Sequence, residues 1–182
     1  MTVLRCSAKL LKRLRQPATP PEPPPGDNPL GEWYADIDFI DRQPFVLMMN
    51  AATGLVLVLP GHAAHLKCLH LRAAEQLASL LDACGIGGPL AEAELDAWRQ
   101  PATYARTSNR SMVASINRRK MDAWAHFAYG GRSAFEVALW MLETLFTRKE
   151  LGKDFHRARD LVRARLLPSA KILPLRVSSA RH

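Results

Sequence analysis

The chain is 182 residues long, 48% hydrophobic and 23% charged, which excludes wholesale disorder and fits one folded domain around a single core. Its net charge of +8 is unevenly spread: residues 1–21 carry five Lys/Arg and no acid, residues 147–182 carry ten bases against three acids, and the middle carries ten bases against fourteen acids. Basic ends around a mildly acidic body fit a polyanionic partner such as nucleic acid, and fit equally well an Arg-rich solvated surface.

Thr2 to Arg5 reads as a short strand, followed by a helix that Ser7 caps and whose apolar face is Leu10, Leu11 and Leu14. Gln16 to Pro29 then holds seven prolines, so residues 16–29 form a loop or extended strap. From Glu32 to Ile40, Trp33, Ala35, Ile37 and Phe39 alternate with Tyr34, Asp36 and Asp38, the pattern of a strand with one wet face. On that reading the two aspartates are solubilising residues. Pro44 to Met49 and Leu55 to Leu59 are apolar throughout and are expected as central strands of an antiparallel meander.

Ala63 to Ala83 has helical spacing, with Gly85 as a left-handed cap, and is expected to pack on the face of Trp33, Ile37 and Phe39. A short helix over Leu90 to Arg99 leads to a strand at Thr103 to Arg106, parallel to a neighbour because a helical crossover reaches it. Further helices are predicted over 109–127, from the Ser133–Glu136 capping box, and over 154–167. The fold class is therefore α+β: an antiparallel meander of about four or five strands packed against several helices. Residues 1–146 form the domain. Residues 147–182 form a basic helical extension whose tail, from Pro168, has too few apolar residues to dock.

No apolar run approaches the roughly 20 residues of a membrane span, and no apolar stretch follows the basic N-terminal residues as in a secretory signal. Cys6, Cys68 and Cys84 are too few and too scattered for a disulfide framework, which suits a reducing, cytoplasmic setting.

The phrases Leu4-Arg5-Cys6-Ser7-Ala8-Lys9-Leu10-Leu11, Leu30-Gly31-Glu32-Trp33-Tyr34-Ala35 and Thr107-Ser108-Asn109-Arg110-Ser111, with Ser115-Ile116-Asn117 behind, resemble an uncharacterised bacterial domain family. The resemblance spans about residues 2 to 146. Ser7 stands where that family usually has Thr, and Arg118 where an acid commonly follows. The family carries no assigned activity, so the resemblance implies domain boundaries and no chemistry.

Chemistry-bearing residues gather in a few places. Ser108, Asn109, Arg110, Ser111 and Ser115 lie at a predicted strand-to-helix junction, where free N–H groups and a guanidinium suit a phosphate or carboxylate; plain helix capping explains the same residues. Arg5, Cys6, Lys9 and Asn117 are candidates for a pocket shared with that phrase, Cys6 being either a thiol activated by bases or a buried structural cysteine. Arg157, Arg159, Arg163 and Arg165 on the last helix are candidates for contact with a nucleic-acid backbone. His62, His65, Cys68 and His70 match no zinc spacing, so no metal is expected. There is no phosphate-binding glycine loop, nucleophile elbow or HExxH, so no cofactor is expected. Three functions stay open: a polyanion-binding module using the basic ends, an enzyme with an anion pocket near Asn109 and Arg110, and an antitoxin-like protein-interaction module.

Overall fold

The computed structural model describes residues 1–147 and 154–167. The expectations for the 168–182 tail lie outside the described residues. Strands β1 (Val3–Cys6), β2 (Trp33–Ile40), β3 (Gln43–Asn50), β4 (Val56–Pro60) and β5 (Thr103–Arg106) form one sheet in the order β4-β3-β2-β1-β5. β2, β3 and β4 make the expected antiparallel meander. β1 is parallel to both β2 and β5, so the sheet is mixed. The reason is connectivity: α1 (Ala8–Arg13) and the proline strap carry the chain back before β2, and α4 (Pro89–Arg99) leads into β5. Among the described residues, no helix is long and apolar enough to cross a membrane.

The two faces of β2 differ from the simple wet-and-dry expectation. Trp33, Ala35 and Ile37 share a face with Met48 and Val46 across the β3 pairing. Tyr34, Asp36 and Asp38 share the other with Leu47 and Phe45, and α5 (Arg110–Gly130) covers it, Phe127 meeting Phe45 edge-on at 5.5 Å. Asp36 is therefore no solubilising residue. Its carboxylate pairs with Lys120 of α5 and accepts from the Ser7 hydroxyl, while Lys120 also reaches Asp38 at 3.4 Å. A polar residue every second position reads as solvent from the sequence; a lysine supplied 84 positions later fills the same role.

The expected helix over 63–83 breaks at Lys67 and Cys68 into α2 (Ala63–Leu66) and α3 (Leu69–Ala83). The Trp33 ring meets Trp98 of α4, centroids 5.5 Å apart, and the buried residues of α3 join the same core. α3 runs beside β4, which is an edge strand and not a central one. Gln76 supplies the missing pairing: its Oε1 accepts from Val58 N at 2.7 Å and its Nε2 donates to Val58 O at 2.8 Å. The left-handed cap is as expected, with Gly85 at φ 61° and Ile86 N donating back to Leu81 O. α6 (Ala134–Glu143) opens with the predicted capping box. After the small hairpin β6 (Leu145–Phe146) and β7 (His156–Arg157), α7 (Ala158–Leu166) buries Ala158, Val162 and Leu166 in the same apolar core as the sheet.

One buried carboxylate organises the N-terminal half. Glu94 of α4 is fully buried, and its oxygens accept from Asn28 Nδ2 (3.0 Å), Leu30 N (2.8 Å), Trp33 Nε1 (3.2 Å) and Trp98 Nε1 (3.1 Å). Asn50, also fully buried, takes the other side of Leu30 by donating to its carbonyl at 3.0 Å, and its Oδ1 accepts from the Ala52 and Thr53 amides. The end of the proline strap is thus clamped between α4 and the β3–β4 turn. Glu94→Ala strands two indole N–H groups and a backbone amide in the core, and chemical denaturation should show a loss of about 3 kcal/mol or more. Burial pushes the Glu94 carboxyl above its ordinary range, against the downward pull of its donors. The folded chain therefore holds this proton more tightly than the unfolded chain. Its contribution is present below the ordinary glutamate pKa and declines as pH rises through the folded value. Stability measured from pH 4 to pH 8, on the order of the range where glutamates titrate, should show this decline in the wild type relative to Glu94→Gln.

Candidate anion-binding pocket and surface

α5 positions most of the candidate residues. Asn109 is its N-cap, with extended backbone and Oδ1 accepting from Met112 N at 3.2 Å. Ser108, Arg110 and Ser111 are exposed around this first turn, and Arg110 makes no hydrogen bond or ion pair among the described residues. Ser115 lies one turn further on, half-buried, and lines a pocket of about 280 Å³ together with Arg118, Arg119 and Asp122. Trp140 and Thr144 at the end of α6, Leu145 to Thr147, and Phe155 close its other sides, with Met49 and Gly54 beneath.

The three consecutive bases of α5 have three different duties because each step turns the helix by about 100°. Arg118 is exposed at the pocket rim, Arg119 points into it, and Lys120 turns to Asp36 under the sheet. Arg119 is 9% exposed and donates to Asp122 Oδ2 at 3.3 Å, with the Phe146 ring 5.9 Å from its guanidinium. Burial lowers its proton affinity more than Asp122 raises it. Gly54 fixes the floor: it takes φ 70°, and a Cβ there would come within 2.8 Å of the Phe146 ring. Trp140 is braced from the far side by His126, ring centroids 4.2 Å apart.

Of the four residues expected to share a pocket with the Asn109 phrase, the structure brings Arg5 and Asn117 together and leaves Lys9 and Cys6 apart from them. Arg5 and Asn117 line a crevice of only about 20 Å³ with Ser7, Asp36 and Thr107. Arg5 is committed to two carboxylates, Glu32 through a forked pair at 2.8 and 2.9 Å and Glu22 of the proline strap at 2.6 Å, which raise its proton affinity further. Lys9 lies outside, 3.8 Å from Asp38 and over the Phe39 ring. Cys6 is fully buried, and burial, reinforced by the Asp36 charge, pushes its thiol well above the ordinary range. That is the setting of a structural cysteine, not an activated one.

Just before α7, at the end of β7, Arg157 is exposed, and on the helix itself the bases are engaged. Arg159 pairs with Glu143 at 2.8 Å, Arg163 donates to Cys84 O at the end of α3 at 2.9 Å, and Arg165 donates to Pro29 O at 3.4 Å. Three of these bases thus make contacts to other segments, although Arg163 and Arg165 stay exposed. His62, His65, Cys68 and His70 belong to no group of possible metal ligands among the described residues.

The sequence carried one unused signal for the pocket. Met112, Ile116, Ala123 and Phe127 form the inward stripe of α5, and Arg119 sits on that stripe between Ile116 and Ala123. A charged residue at an inward position needs a partner or a cavity. Trp140, Phe146 and Phe155 gave no such signal, since single aromatics are commonplace in a core or on a surface.

Together these features define an α+β domain with a mixed five-stranded sheet and, on the far side of α5, a cationic pocket walled by aromatic rings. A model of the family described as Domain of unknown function (DUF6933) matches residues 3–160, and the chain belongs to that family. The match runs past the hairpin into α7. Neither a curated protein nor a solved structure matches.

The burial pattern sets an order of thiol reactivity. On the native protein a thiol-reactive dye should modify the half-exposed Cys68 and Cys84 first, and Cys6 only at the rate of unfolding; mass spectrometry of timed samples reads the order. Fast modification of Cys6 would mean that β1 opens locally.

Proposed function

We propose that the protein is a binding module for a polyanion, with single-stranded nucleic acid as the class its surface fits, and that contact runs along the outer face of α5. The observation that supports this reading is a run of unpaired bases followed by exposed rings along one helix. Arg110 and Arg118 make no ion pair among the described residues, and Met121, Trp124 and Tyr129 follow on the same side, 73%, 43% and 82% exposed. Trp124 and Tyr129 meet edge-on at 5.6 Å. From Arg110 to Tyr129 this face extends roughly 30 Å at the helical rise, a length that several nucleotides span.

Two kinds of contact are combined here. Guanidinium groups hold phosphates without reading sequence, and flat rings give bases something to stack on. Large exposed rings are otherwise costly on a soluble surface and mark interaction sites. α7 supports the reading less than its charge suggests, because Arg159, Arg163 and Arg165 are engaged within the fold.

Fluorescence anisotropy with a labelled oligo-dT and a labelled oligo-U, over a range of salt, tests this. Affinity should fall with salt by about 0.7 in log–log slope for each phosphate contacted. The double variant Arg110→Ala, Arg118→Ala should flatten that slope by roughly one unit or more. Trp124→Ala or Tyr129→Ala should weaken binding by about 1–3 kcal/mol for each base unstacked. Arg157→Ala, in β7 and away from this face, should leave affinity unchanged. Absence of binding at low salt ends the reading; if Trp124→Ala instead converts a dimer to a monomer in sedimentation, the face is covered by a second copy of the chain.

A further inference from the structure

We infer that the pocket between α5, α6 and the β6–β7 hairpin is a separate binding site for a small anion carried on a flat ring, such as a nucleoside monophosphate or an aromatic carboxylate. The inference starts from an incomplete set of hydrogen bonds. A guanidinium carries a fork of N–H donors and no acceptor, and burying it is costly unless acceptors surround it. Arg119 is 9% exposed, yet among the described residues its only hydrogen bond is the 3.3 Å contact to Asp122. Its remaining nitrogens are not among the sealed, unpartnered atoms of the core, so they open on the pocket.

The surroundings supply donors and apolar walls, with one acceptor already in use. Arg118 stands at the rim, Ser115 lies one turn before Arg119, and Asp122 is already turned to Arg119. An anion that accepts from Arg119 and Arg118 would complete the set, and a planar head with two or more oxygens matches the guanidinium fork. Trp140, Phe146 and Phe155 then provide the rings. Phe155 is 72% exposed and Trp140 37% exposed beside the pocket, so apolar area is available that the fold itself does not bury. The volume, about 280 Å³, accommodates a ligand with a ring and a charged head, and far exceeds what a lone ion fills.

This site shares Arg118 with the strand-binding reading of the outer α5 face and otherwise uses different residues, Arg119, Trp140, Phe146 and Phe155, so Phe155→Ala and Trp124→Ala tell the two apart. Its test uses free small molecules and variants on the pocket side. Isothermal titration of the full chain with adenosine 5′-monophosphate, indole-3-carboxylate, inorganic phosphate and adenosine, with tryptophan fluorescence as a second readout, separates the parts of the claim. At least one of the two ring-bearing anions should bind about tenfold or more tighter than both inorganic phosphate and adenosine. Preference for the nucleotide assigns a phosphate head, and preference for the indole acid assigns a carboxylate; either supports the site. Arg118→Ala and Phe155→Ala, both at exposed side chains where folding is not at stake, should each weaken the better ligand, whereas Trp124→Ala on the outer face should not. Arg119→Lys keeps the charge but loses the fork and should weaken it further. Binding of none of the four, equal binding of phosphate and the ring-bearing anions, or affinity unmoved by Phe155→Ala overturns the inference.

Discussion

The fold turns on the carboxylate of Glu94. A proline-rich strap has few backbone donors to offer a neighbouring strand and no helix of its own, so something else must fix where it ends and β2 begins. Glu94 does this by gathering donors from both sides of the junction: Asn28 and Leu30 from the strap, Trp33 from β2 and Trp98 from its own helix. The two indoles cannot bury their rings without an acceptor for each N–H, and the carboxylate cannot be buried without donors. Each half therefore makes the other tolerable. Sheet and helix α4 are locked in register by a polar contact inside an otherwise apolar core.

Much of the architecture was legible because local patterns carried it. The Ser7 cap, the meander of residues 32–59, the Gly85 cap and the Ser133–Glu136 box all rest on residues close together in sequence. What stayed hidden involves partners far apart. Glu94 looks like an ordinary helix glutamate until Asn28 and Trp33 arrive from more than sixty positions away. Asp36 looks solvated until Lys120 covers it, and the break at Lys67–Cys68 leaves no trace in a stretch whose helical periodicity runs straight through it. The pocket was half legible. The Asn109 phrase drew attention to α5, but the helix end holds a cap, and the buried guanidinium sits three turns further along.

Charge is likewise read differently once partners are known. A formal +8 and a strongly basic end invite the idea of an extended cationic arm. In the folded chain Arg163 neutralises the carbonyl end of α3, Arg165 reaches back to the proline strap and Arg159 pairs with Glu143, so α7 is a fastener whose bases hold three other segments together. Among the described residues, Arg110 and Arg118 of α5 are exposed bases without an ion pair, and they lie inside the stretch whose overall balance is acidic.

The side-chain amide of Gln76 has a consequence for behaviour in concentrated solution. β4 is a five-residue edge strand of apolar residues, the kind of border on which a second molecule can stack a strand of its own. Backbone groups along such a border face outward at alternate residues, here Val56, Val58 and Pro60. Gln76 occupies the middle position, and proline at the last has no N–H to give. Val56, the remaining outward-facing position, is itself buried, with 1% of its surface exposed. An incoming strand would find the first rung covered, the middle one taken and the last without a donor, so a short, greasy border is closed to stacking without a charge of its own.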